Sequence, residues 1–239
     1  MNTRQDEKRK ENTMTLLLGT LFAALVIGGT MLYRASHKEE TAKIREFVPM
    51  DQRNFLIPEG YFFDAAHMWV SKGNEGSLRI GLDDFLQHVI GKVDKIELLK
   101  SSGPVEKGDA IARIYQNGRY LQVYAPVSGI ILNGNELLLN DSAAMSRDPY
   151  HDGWIMEIQA MNWQSDRAAL ISAEKAKSWI KDEWVRLKDF FSFSAQKYEL
   201  APVMVAMQDG GEIQDRALQN SSDDIWQEFQ IEFIDSAKN

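Results

Sequence analysis

The sequence predicts a mainly β domain with flanking helices, preceded by one transmembrane helix. Three observations carry this reading. An uncharged apolar stretch occupies residues 14–33, short strand-like runs separated by Gly, Asn, Pro and Asp fill the region from Gly60 to Trp163, and after Trp163 the apolar spacing changes to three and four residues. At 239 residues, with 44% hydrophobic and 26% charged side chains, the chain is long enough for a packed core and is not of the disordered type.

Residues 1–13 form a charged N-terminal tail, and Met14 to Tyr33 reads MTLLLGTLFAALVIGGTMLY. As a helix, about 20 residues span about 30 Å, one hydrocarbon thickness. The exit, Leu32-Tyr33-Arg34-Ala35-Ser36, lacks a small-x-small cleavage signal, so the segment is read as an uncleaved single-pass anchor. Gly19 with Ala23, and Ala24 with Gly28, stand at a spacing that lets a second helix approach, although Gly and Ala are common in membrane helices anyway. Basic residues flank both ends. The compact Lys8-Arg9-Lys10 cluster on the short tail places the N-terminus inside and the bulk of the chain outside the cytoplasm.

Residues 34–57 are charged and read as a juxtamembrane connector ending near Pro49 and Pro58. The main domain is expected over 58–190. Its strands include MWVSK, LRIGL, AIARIYQ, YLQVYAP and GWIMEIQ, and Phe85, Val89 and Ile90 mark a short helix between Asp84 and Val93 with Asp83 or Asp84 as its N-cap. From Ser165 and Asp166 onward, Ala169, Ala173, Ala176, Ile180, Trp184 and Leu187 predict one helix packed on the β block. An acidic C-terminal extension, 191–239, holds the apolar run APVMVAMQ, a turn at Asp209-Gly210-Gly211 and a terminal helix in DDIWQEFQIEFI. On that helix Trp226, Phe229 and Phe233 share a face, which must bury either against this domain or against a partner chain; the charged opposite face is a solvated surface or an acidic docking surface.

Composition narrows the function. Lys and Arg number 27 against 35 Asp and Glu, a net charge of -8, so no basic field is available for a nucleic acid. With no Cys, there is no thiol nucleophile, thiolate metal site or iron–sulfur ligation. The four His show no zinc spacing, and Gly-rich phosphate loops are absent. Asp83 and Asp84 are better explained as a helix cap, and Asp148 and Asp152 as turn residues. No constellation points to an enzyme, and neither a metal nor a cofactor is implied.

The β block resembles the H-protein of the glycine cleavage system, a lipoyl carrier. The matching stretches are H67-M-W69, I80-G-L-D-D-F85, I90-G-K-V-D-K-I-E-L98, V105-E-K-G-D109, Y124-A-P-V-S-G129, G134-N-E136 and D148-P-Y-H-D-G-W154. The resemblance covers about residues 60–180 and implies a barrel-sandwich hybrid of the lipoyl type. It also places a His at His67, although a lone His beside Trp69 is read as a packed residue rather than a proton carrier.

In such carriers a modified Lys stands at a hairpin tip shortly before the Ala-Pro-Val-x-Gly stretch. Aligned without a gap to Tyr124-Ala125-Pro126, that position falls on Gly118, and the hairpin from Ile114 to Val123 contains no Lys. Arg119 cannot replace it, because a guanidinium that stays protonated offers no amine for an amide bond. Asn117-Gly118 is instead a tight-turn signal. The resemblance and the anchor together imply a non-catalytic subunit or scaffold in the inner (cytoplasmic) membrane of a bacterium, an accessory of a membrane redox complex whose partners are the membrane and other protein subunits. The alternative is a protein of lipoyl or aminomethyl metabolism that binds a lipoyl group or a lipoylated partner without covalent attachment.

Overall fold

A computed structural model describes residue 50 and residues 55–198 and 213–237. The expected anchor, with Gly19, Ala23, Ala24 and Gly28, lies outside the described residues, as do most of the connector and the run APVMVAMQ. Among the described residues, no helix is long and apolar enough to cross a membrane.

Among the described residues, ten antiparallel strands build two sheets. They are β1 (Phe62–Phe63), β2 (Met68–Lys72), β3 (Leu78–Leu82), β4 (Lys95–Leu98), β5 (Gly103–Val105), β6 (Ala110–Gln116), β7 (Arg119–Tyr124), β8 (Gly129–Gly134), β9 (Trp154–Ala160) and β10 (Ile171–Ser172). The larger sheet has the order β10-β1-β2-β3-β9-β8-β5, and the smaller one β4-β6-β7. The central strands are apolar on both faces. In β2, Met68, Trp69 and Val70 are all buried, and Ile155, Met156 and Ile158 of β9 likewise. Gly81 of β3 shows why one position has no side chain: a Cβ there would lie 2.6 Å from the Trp69 ring and 3.0 Å from the Gly153 carbonyl.

The helices lie outside the sheets. Helix α1 (Asp84–Ile90) is capped by Asp83, whose carboxylate accepts the Leu86 N–H at 2.8 Å, and it ends at Gly91 with φ 76° rather than running on to Val93. Two short helices follow β8, α2 (Glu136–Asn140) and α3 (Ala144–Arg147).

The single helix expected from Ser165 is two helices. Helix α4 (Trp163–Ala169) stops at Leu170, whose backbone is extended, and α5 (Ala173–Lys197) begins three residues later. Between them Ile171 and Ser172 form β10, which pairs with Phe63 and Phe62 of β1, and the Ala173 N–H bonds to the Tyr61 carbonyl at 3.2 Å. Backbone pairing to an otherwise open edge outweighs helix continuity, so Ala169 is exposed while Ala176, Ile180, Trp184 and Leu187 form the buried stripe of α5. Helix α5 continues past residue 190 and buries Phe190, Phe191 and Ser194.

The terminal helix exists as expected, with a wider turn at its end. Helix α6 (Asp223–Phe229) opens into a π-turn over Gln230–Ile234 and closes with a 3-10 turn at Asp235–Ala237. Trp226, Phe229 and Phe233, which the sequence offered as a partner-binding stripe, are 3%, 0% and 0% exposed. Phe229 and Phe233 stack at 4.5 Å, and Phe190 of α5 meets both edge-on at 5.8 and 5.5 Å. These side chains belong to the domain's own core, which leaves them no surface to offer a second chain. Ile231, on the opposite side, is 62% exposed.

Phe229→Ala is therefore expected to lower the unfolding free energy by about 3–5 kcal/mol, the usual cost of emptying a buried aromatic site. Denaturant unfolding measures it. A loss below about 1 kcal/mol would mean that the terminal segment is not part of the core.

Candidate functional site

The hairpin joining β6 and β7 turns in two residues. Gln116 pairs with Arg119 and Tyr115 with Tyr120, and the residues between them, Asn117 and Gly118, have φ of 50° and 80°. Two successive positive φ values define the primed turn whose twist matches antiparallel strands, which is why the pair is Asn-Gly. The Asn117 N–H donates to Asp94 at 2.7 Å, and the open side of Gly118 meets nothing within 4 Å.

Arg119 begins β7 and reaches sideways to the C-terminal segment. Its guanidinium donates to the carbonyls of Ser221 and, at 3.1 Å, Gln219, lies 4.7 Å from the Trp226 ring and stands 3.8 Å from Asp223. A planar cation with five donors can hold two carbonyls and an aromatic face together. Further along β7, Trp226 Nε1 donates to the Tyr120 carbonyl at 2.8 Å. The Gln230 amide accepts the Gln122 N–H at 2.9 Å and donates to the Gln122 carbonyl at 3.0 Å. The Tyr124 hydroxyl donates to Asp235 at 2.7 Å; burial and that carboxylate both raise its pKa. Between β7 and the segment runs a groove of about 490 Å³ whose lining includes Gly118, Arg119, Gln122, Gln227 and Gln230.

A second cluster lies deeper. His67 precedes β2 with φ 62° and is fully buried, its ring stacked between Phe85 at 4.8 Å and Trp179 at 5.0 Å. Its Nδ1 is 2.8 Å from Asp83 Oδ2 and its Nε2 3.5 Å from Glu183 Oε2, and Arg186 holds Glu183 at 2.9 and 3.1 Å. Burial opposes charge on the imidazole, but Asp83 and Glu183 outweigh it and raise the pKa to about 9. Burial also pushes Asp64 up to about 7, against the N–H groups of Met68 and Ala66 that it accepts. The cluster ties the start of β2, the cap of α1 and the middle of α5. With His67 sealed from solvent, its chemistry is that of a structural ion pair.

The remaining sequence candidates are structural as well. Asp148 accepts the His151 N–H at 3.2 Å in a turn that sends Tyr150 inward, where its hydroxyl donates to the Leu56 carbonyl at 2.6 Å. Asp84 accepts the Leu56 N–H at 2.9 Å. Sequence reasoning missed Gln122, Gln230 and Asp235, whose bonds between β7 and the C-terminal segment span more than a hundred residues. Glu183 left a signal: a carboxylate between Ile180 and Leu187 on an apolar stripe requires a buried cation.

A mainly β fold with flanking helices and a two-residue hairpin before Ala-Pro-Val-Ser-Gly is an H-protein-like domain. The family model for the glycine cleavage H-protein matches residues 61–183, and the chain belongs to that family. Relatives include the probable glycine cleavage system H protein of Pyrococcus furiosus, 30% identical over 127 residues that make up 53% of this chain and 94% of the relative. The glycine cleavage system H protein of Halorhodospira halophila is 32% identical over 127 residues, 53% of this chain and 97% of its own. A crystal structure of a glycine cleavage system H protein from Mycobacterium marinum aligns with a TM-score of 0.43 and 23% identity, covering 49% of this chain and 93% of that one.

The buried imidazolium makes stability depend on pH. His67 titrates near 9 when folded against about 6.5 when unfolded, so its contribution is complete below pH 6.5 and disappears as pH rises through 9. Asp64 acts in the same direction at lower pH, from about 3.8 to about 7. Thermal melting is expected to fall steadily between pH 6.5 and pH 9. A melting temperature that is flat or rising across that window would show that His67 is uncharged in the fold.

Proposed function

We propose that this chain is a non-catalytic, membrane-anchored H-protein-like subunit or scaffold that does not carry a lipoyl group, an accessory of a bacterial membrane redox complex. The observation that supports it most is the hairpin tip. Residues Asn117 and Gly118 occupy a turn that needs positive φ at both positions, no Lys stands in the hairpin, and Arg119 is engaged by the Gln219 and Ser221 carbonyls. A lipoyl amide needs a free primary amine, and a guanidinium does not provide one. The apolar stretch at 14–33 supports the anchor, and the basic cluster Lys8-Arg9-Lys10 supports an extracytoplasmic domain.

The alternative, non-covalent binding of a lipoyl group, draws on the groove beside Gly118. Its lining mixes Arg119, Gln122, Gln227 and Gln230 with Tyr120, Tyr124, Trp226 and Ile231 and includes no Lys for an amide bond, so it supports non-covalent contact alone.

Two measurements test the proposal. After co-expression with a lipoyl ligase, the intact mass is expected to stay unmodified; a gain of one lipoyl mass mapped to any Lys near the hairpin, such as Lys107, would overturn the non-carrier reading. A chain starting at Lys38 is expected to leave the membrane fraction. If it still sediments with membranes at high salt, residues 1–33 are not the anchor.

A further inference from the structure

Away from the hairpin, a cavity of about 300 Å³ lies between α1, α3 and the residues that lead into the terminal segment. Asp84, Gln87 and His88 line it from one face of α1, Lys92 from the turn beyond, Ser146 from α3, and Asp215 with Arg216 from the C-terminal segment. Gln87 is only 4% exposed, yet neither atom of its side-chain amide has a hydrogen-bond partner. Buried polar groups in folded proteins are nearly always satisfied, so an orphaned amide on a cavity wall calls for a partner that the chain does not supply.

Donors are in excess around it. His88 Nδ1 is bonded to Asp215 at 2.7 Å, which leaves Nε2 at 3.8 Å from Asp84, beyond hydrogen-bond reach. The Asp215 bond, against partial burial, raises the His88 pKa. Lys92 Nζ and Ser146 Oγ have no partner among the described residues. Arg216 meets Asp215 through Nε at 3.4 Å and is otherwise uncommitted there, while its own N–H is fixed to the His88 carbonyl at 2.8 Å. The acceptors are largely taken: Asp84 accepts from Leu56, and Asp215 serves both His88 and Arg216. In a chain of net charge -8, this wall sets His88, Lys92 and Arg216 against Asp84 and Asp215.

The geometry points to this cavity as a binding site for a phosphate group, free or as a small phosphomonoester, held by Lys92, Arg216, the Ser146 hydroxyl and the Gln87 amide, with His88 Nε2 on the same wall. Two cationic side chains, a hydroxyl and an amide converging from four chain segments suit the charge and the several oxygens of a tetrahedral oxyanion. The site is independent of the hairpin and of the scaffold reading.

Titration calorimetry on the full chain in mild detergent, with inorganic phosphate and separately with phenyl phosphate at near-neutral pH, tests it. Saturable binding of at least one is expected, weakened about tenfold by Lys92→Gln and by Arg216→Gln. Binding of phosphate alone assigns the free ion, and binding of phenyl phosphate the ester. Lys92 is exposed, so its variant keeps the fold and reads the site even where Arg216→Gln loosens the C-terminal segment. No saturable binding of either ligand at about 10 mM, or affinities that Lys92→Gln leaves within about twofold, would overturn the assignment.

Discussion

The smaller sheet ends at β7, and the outward backbone groups of that strand must find partners other than another strand. An open edge of this kind costs hydrogen bonds if buried and invites pairing with other chains if exposed. Here the Tyr120 carbonyl takes the Trp226 indole N–H, and the Gln230 amide meets both backbone groups of Gln122 as a neighbouring strand would. Those side chains are correctly placed because Trp226, Phe229 and Phe233 are buried in the core, the two Phe rings against Phe190 of α5. Edge closure and core packing are thus one arrangement, and Arg119 locks its entry point by holding the Gln219 and Ser221 carbonyls.

The second dependence is electrostatic. A His in the left-handed region with its ring sealed between Phe85 and Trp179 is costly in backbone conformation and in desolvation. It is held by carboxylates from two directions, Asp83 from the cap of α1 and Glu183 from α5. Asp83 therefore has two tasks, since one carboxylate oxygen accepts the Leu86 N–H while the other faces the imidazole. Removing either carboxylate would leave a buried charge undercompensated, which is why a pairing so far from any solvent-facing chemistry constrains the layout of both helices.

Local signals in the sequence were strong wherever the physics was local. Asn117-Gly118 announced its turn, the Asp83-Asp84 pair a cap, and the Ala176-to-Leu187 spacing its helix face, because each depends on neighbours within a few residues. The break at Leu170 was not legible: the alanines at 169 and 173 sit at helical spacing, and the pairing of Ile171 and Ser172 with β1 is decided by an edge more than a hundred residues earlier. The hydrogen bonds of Gln122, Gln230 and Asp235 were invisible for the same reason. The motifs that carry the family likeness were readable in order and spacing, and they reach the family without revealing what the C-terminal segment does.

That segment changes how the hairpin can be understood. A hairpin that presents a side chain to other proteins needs a free tip and a free approach to it. In this chain the tip remains open at Gly118, while the first residue of β7 and its outer edge are committed to residues 219–235. Under the scaffold reading, the strand after the tip has passed from presenting a group to receiving a segment of its own chain. Placing a Lys at 118 would add an amine but not undo that commitment, and the φ of 80° would resist the new side chain. On that reading, two features of separate origin, a turn that favours Gly and an edge already occupied, set this hairpin apart from a swinging carrier.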